Sequence, residues 1–153
     1  MNKSQLLLYT LVSKTEGSDD KIRLAKLQYF VDFLHYAFHD TSVSGKSTYY
    51  TRRQFGPLSS SFNEDLFSMS KSGYLLQKGE YSFIIGKIIP SGTLSPEEQK
   101  TIDYVVAKYG KNSWRELVEI SHNQSPYLST KEDGVIPFFT AYDLVDEYSD
   151  YVK

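Results

Sequence analysis

Apolar residues change their spacing several times along this chain, and each change marks an element. From Ile22 onward the apolar positions are Leu24, Leu27, Phe30, Val31, Leu34, Ala37 and Phe38, with Phe33 widening the stripe. That is a helical period sustained for about five turns. A helix so apolar around its circumference is expected at the centre, with other elements packed on most of its sides. Gln28, Asp32, His35 and His39 leave one polar seam along it. Ser18, Asp19 and Asp20 supply a cap and negative charge at its start, where backbone N–H groups point outward. A shorter helix precedes it, Ser4 to Glu16, with Leu7, Leu8, Leu11 and Val12 on one face and Gly17 ending it.

After a polar turn from Asp40 to Lys46, containing Gly45, the residues Thr48 to Phe55 alternate in a β-favouring order and predict an extended strand. On such a strand one set is buried, Tyr50 and Gln54 for example, while Tyr49 and Arg53 flank it. Gly56-Pro57 breaks the strand, since proline biases the preceding residue away from helical geometry. Ser61 and Glu64 have capping-box spacing, and Phe62, Leu66 and Met69 carry a third helix to about Ser72, stopped by Gly73. Tyr74 to Leu76 and Tyr81 to Ile89 predict a hairpin about a Lys78-Gly79-Glu80 turn, closed by Pro90-Ser91-Gly92.

The rest is helical again. Ser95, Pro96 and Glu98 occupy N-cap, N1 and N3, and Ile102, Val105, Val106 and Tyr109 form a buried face that ends at Gly110. Ser113 and Glu116 make a second box before a helix carrying Trp114, Leu117, Val118 and Ile120, and Ser125-Pro126 ends that region. Lys131 to Gly134 is a loop, and Thr140 to about Tyr148 is a last short helix with an acidic tail. Together these predict a mainly α, α+β fold: a compact bundle of about six helices around a central apolar helix, with a short strand and a β-hairpin. No repeat, low-complexity tract or linker interrupts residues 1–153, so one domain is expected.

Composition narrows the function classes. A net charge of −2 lacks the clustered basic surface that DNA, RNA or anionic lipid would require. The absence of cysteine removes disulfides, thiolate zinc sites and thiol nucleophiles, and fits a cytoplasmic protein. No apolar run reaches the ~18 residues of a membrane span. Tyrosine is abundant, with 13 Tyr beside 9 Phe, and its apolar body with a polar tip suits core edges and interfaces.

Candidate chemistry is sparse. Asp32, His35 and His39 stand at i, i+3 and i+7 and share a helix face that could chelate a metal; hydrogen bonding inside a packed helix explains them as well. No Gly-x-Ser-x-Gly elbow and no phosphate-cradling glycine loop occurs, and the paired carboxylates sit at helix starts, so no enzyme and no cofactor is expected. The helices at 95–109 and 113–122 have helix-turn-helix spacing, but the second offers Arg115 beside Glu116 and Glu119, a poor match to phosphates. A winged arrangement would need Arg52, Arg53, Lys71, Lys78 and Lys87 on one face. The stretch Thr48 to Phe55 combines tyrosine and arginine, which are enriched at protein–protein hot spots and are equally at home in ordinary core packing.

Three pieces of the chain resemble the Panacea domain, the SocA-like antitoxin domain of phage-associated GepA-type proteins. Lys26-Leu27-Gln28-Tyr29-Phe30-Val31-Asp32-Phe33 is similar to the family's Lys-Leu-x-Tyr-Phe-x-Asp helix, and the stretch from Gly45 through Pro57 to its Gly-Pro segment. Leu94 to Glu98, followed by Trp114, Leu117, Ser121 and His122, resembles its second half. The likeness runs over about Lys21 to Tyr142 and departs at Ser125 to Leu128, where members often carry a tryptophan.

The resemblance implies the antitoxin of a type II toxin–antitoxin pair, a folded protein that neutralises a toxin by direct binding. Some members act as adaptors that deliver the toxin to a Clp-type protease. It carries over no catalytic residue and no toxin identity. The partner-binding surface expected from the aromatic-basic stretch is Tyr49, Tyr50, Arg52, Arg53, Phe55, Gly56 and Pro57, positioned by the central helix with its seam residues Asp32 and His35. Arg52 or Arg53 would pair with acidic groups on the toxin while an exposed tyrosine adds apolar contact. The alternative is a DNA-binding transcriptional regulator or a phage-associated regulatory protein.

Overall fold

The central helix forms as its stripe dictates. In the computed structural model, which describes residues 1–16, 18–89 and 93–153, α1 spans Lys3–Lys14 and α2 spans Lys21–His39. Every residue from Leu24 to His35 is buried, so α2 lies inside the molecule. It packs against α1, α4 (Pro96–Tyr109), α5 (Trp114–His122), strand β3 (Gly56–Ser59) and a 3-10 helix at Phe138–Leu144. Asp20 caps its start by accepting from the Arg23 amide at 2.9 Å. Arg23 then turns back: its guanidinium meets the Asp19 carboxylate at 2.7 Å and donates to the carbonyls of Gly110 and Asn112. One side chain thus ties the entry of α2 to the turn between α4 and α5.

The remaining elements are α3 (Phe62–Lys71), the four-residue α6 (Ser125–Leu128) and two small antiparallel sheets. One sheet has the order β1-β5-β4, from Ser18–Asp20, Ser82–Ile85 and Leu75–Lys78. The other has the order β3-β2-β6, with β2 at Tyr50–Arg53 and β6 at Val135–Ile136. The mainly α, α+β expectation agrees with this arrangement. Both capping boxes at Ser95 and Ser113 are present, each serine accepting from the amide of the glutamate three residues on.

Several local expectations need correction. Gly56-Pro57 does not end the extended segment; it opens β3, which pairs back on β2 with Arg53 opposite Gly56 and only Gln54 and Phe55 between them. Gln54 is exposed, not buried. Ser61 makes no side-chain cap; its hydroxyl donates to Asp65 at 2.8 Å, where the Ser4 hydroxyl from α1 also donates at 2.6 Å. That buried carboxylate joins α1 to α3 instead. The helix expected over 140–148 is instead a 3-10 segment at Phe138–Leu144, and a second 3-10 segment follows at Ser149–Val152. Gly17 and the Pro90-Ser91-Gly92 closure lie outside the described residues.

Candidate protein-binding site

Asp32, His35 and His39 of the polar seam find partners inside the fold, while Gln28 is buried with its Oε1 unpaired. Asp32 is fully buried and accepts from the Ser44 amide at 2.9 Å, the Ser44 hydroxyl at 2.6 Å and the Tyr50 hydroxyl. Burial raises its carboxyl above the ordinary range even against these three donors. His35 shares a 2.8 Å hydrogen bond with Thr101, and His39 one of 3.0 Å with Tyr151. The two imidazoles stack with centroids 4.4 Å apart. Burial chiefly, then His39, pushes His35 down to about 4. No cluster of three or more His, Asp or Glu suited to a metal occurs among the described residues. Asp32 and His35 are therefore engaged inside the fold.

The aromatic-basic stretch divides sharply. Tyr50 is 0 % exposed, wedged edge-on against Phe33 and Phe138 with its hydroxyl on Asp32, so its assignment to a partner surface is corrected. Arg52 is also committed inward: it donates to the carbonyls of Tyr127 and Thr130 at 3.0 and 2.7 Å, with its guanidinium 4.2 Å from the Tyr127 ring centre. Gly56 and Pro57 are buried where β3 meets α2, and Gly56 lines the groove beside this hairpin.

Tyr49, Arg53 and Phe55 do point outward. Tyr49 and Phe55 are each 50 % exposed, and Phe55 stands edge-on to Trp114 at 6.3 Å. Arg53 meets Asp133 at 3.0 Å in an exposed pair, where solvent leaves the interaction little net strength. Alternation along β2 explains the division, because residues two apart share a face of the sheet. Tyr127 stacks on His122 at 4.4 Å and donates to the Arg53 carbonyl at 2.9 Å. The segment that departs from the family pattern thus pins the back of β2.

A groove of about 570 Å³ opens beside this face, between the first turns of α2, the β2–β3 turn and the start of α3. Lys21, Lys26, Arg53, Phe55, Leu58 and Phe62 are among its lining residues. Lys26 was not singled out as a site residue. Its amine donates to the Pro57 carbonyl at 2.7 Å, the residue is 3 % exposed, and burial alone pushes it down to about 7. A signal did exist: Lys26 falls at the four-residue spacing between Ile22 and Phe30, a charge in the middle of an apolar stripe.

This shift has a testable sign. The unfolded chain holds the lysine proton to its ordinary value of 10.5, while the folded chain releases it near 7. The unfolded state therefore binds more protons between those values, and stability gains as pH rises through that window. Relative to Lys26→Met, the wild type is expected to gain about 2 kcal/mol between pH 6 and pH 9 in urea unfolding. A gap between the two proteins that stays constant over this range would show that the amine titrates normally.

The five basic residues are divided between two regions, with Lys71 at the end of α3. Arg52 and Arg53 belong to the β3-β2-β6 sheet, whereas Lys78 lies in the other sheet and Lys87 follows its β5 strand. On α5, Arg115, Glu116 and Glu119 are the exposed charges. No described helix is long and apolar enough to cross a membrane.

Comparison with known proteins gives one result. Residues 24–127 match the family model described as antitoxin SocA-like, Panacea domain. That span holds α2 from Leu24 onward, the whole β2–β3 hairpin, most of the residues that line the groove, and Tyr127. Neither the curated proteins nor the solved structures contain a match. On the family model, this chain belongs to the SocA-like antitoxin family of Panacea domains.

Proposed function

We propose that the chain neutralises a protein toxin by direct, non-covalent binding, as the antitoxin of a type II pair, and that it does so without catalysis. One observation carries the choice of surface. The β2–β3 hairpin buries Tyr50 and Arg52 in a dense internal network and leaves Tyr49, Arg53 and Phe55 on its outer side, beside an open groove. Exposed aromatics around a concavity are where hot spots form, because their area is large and their side-chain entropy small. A hairpin anchored from behind presents them with little reorganisation on binding.

The test is a double variant, Tyr49→Ala with Arg53→Glu. Both side chains are exposed, so its unfolding should match the wild type to within about 0.5–1 kcal/mol. The affinity for the cognate toxin, found by expressing neighbouring genes and scoring growth arrest, is expected to fall at least ~100-fold. Rescue of toxin-expressing cells should be lost with it. Full rescue by the folded variant would remove this face from the account.

A further inference from the structure

Lys26 lines the groove, and its amine has unused bonding capacity. A lysine ammonium has three N–H donors, and among the described residues the Pro57 carbonyl is its one acceptor. The described ion pairs engage Lys3, Lys14, Arg23 and Arg53; neither Lys26 nor Lys21 has a carboxylate within reach. Asp133 and Glu132 line the groove too, but Asp133 is turned to Arg53. A cation nine-tenths buried and without a counter-charge is costly, and an arriving anion would relieve it. The surroundings choose the anion. Leu58, Phe62 and Phe55 give the groove apolar walls. Glu132 and Asp133 on the same lining oppose a phosphate dianion about twice as strongly as a single carboxylate, because the repulsion scales with the charge that arrives.

We infer that this groove receives an aspartate or glutamate side chain of the bound protein, its carboxylate taking the free N–H groups of Lys26 while flanking apolar residues rest on Leu58 and Phe62. This rests on the protein-binding reading above and supplies the chemistry of one partner residue. The neighbouring Lys21, half-buried at the same groove, adds a second positive charge that draws an anion there.

The full chain can be titrated with a blocked Leu-Glu-Leu peptide, its Leu-Gln-Leu counterpart and inorganic phosphate, following the amide signals of Phe55, Gly56 and Leu58 by NMR. The Glu peptide should bind the wild type at least ~10-fold more tightly than the Gln peptide or phosphate, as expected for a charge-assisted bond in a partly desolvated site. Lys26→Met should abolish that preference. Lys26→Gln, which keeps a donor for the Pro57 carbonyl, should do the same if the methionine variant fails to fold. Equal binding of the two peptides, a preference that survives in both variants, or tighter binding of phosphate would each overturn the assignment. Loss of toxin rescue in the Tyr49/Arg53 double variant together with no Glu preference would sink this inference alone. A clear Glu preference with rescue intact in that double variant would instead retire the proposed toxin-binding face alone.

Discussion

Replacing Asp32 with leucine is expected to destabilise the chain by about 3–5 kcal/mol, measured by urea unfolding at pH 7. Leucine is close to isosteric, so the loss would come from bonding, not from volume. The substitution strands the Ser44 amide, the Ser44 hydroxyl and the Tyr50 hydroxyl, all of which donate to this carboxylate inside the core. Asp32→Asn keeps an acceptor and should cost about 1–2 kcal/mol. The pH dependence separates the two further. Because burial raises the folded-state value of Asp32, its contribution is complete below the ordinary carboxylate range and declines as pH climbs through the raised value. The wild type should therefore lose ground to Asp32→Asn as pH increases from about 4. A leucine variant within 1 kcal/mol of wild type would mean that these bonds contribute nothing net.

Gly56→Val is the second large effect, with an expected loss of about 2–5 kcal/mol. Two independent causes add. Gly56 has φ +104°, a region side-chain-bearing residues rarely adopt. A Cβ there would stand 2.7 Å from the Ser121 hydroxyl and 3.2 Å from the Lys26 stem. Combining Gly56→Ala with Ser121→Ala should recover the steric part and leave the backbone part, about 1–3 kcal/mol. Chemical denaturation of the single and double variants gives the division directly. Wild-type stability in Gly56→Val would show that the hairpin turn can relax away from α2, and the groove geometry would then be soft.

What could be read from the residues followed the range of the interactions involved. The boxes at Ser95 and Ser113 close over three residues, and the stripe of α2 is a repeat within one helix, so both were legible. Asp32, Ser44 and Tyr50 are 12 and 18 residues apart along the chain, and nothing local announces that they converge. Ser18–Asp20 and Val135–Ile136 are too short for an alternating pattern to show, and they are strands only because β5 and β2 offer them a ladder. The 138–144 segment is a 3-10 helix packed on α2, and spacing along the sequence does not separate that form from an α-helix over so short a run. At the binding face, alternation gave Tyr50 inward with Tyr49 and Arg53 outward. It also sets Arg52 on the inner face with Tyr50, but what holds a cation there, the ring and carbonyl of Tyr127, comes from a helix 75 residues away that nothing local announces.

The ends of the chain complete what the matched region starts. Tyr148 is buried with its hydroxyl against Tyr109 and Gln124, and Tyr151 is buried against Phe38 and Thr101. Leu7, Leu8, Leu11 and Val12 of the first helix are fully enclosed at the other end. A fragment trimmed to the borders of sequence similarity would therefore strip cover from both sides of the longest helix. Homology here marks what evolution kept recognisable, and the cooperative unit is larger, so swapping this module between proteins must carry its flanks along.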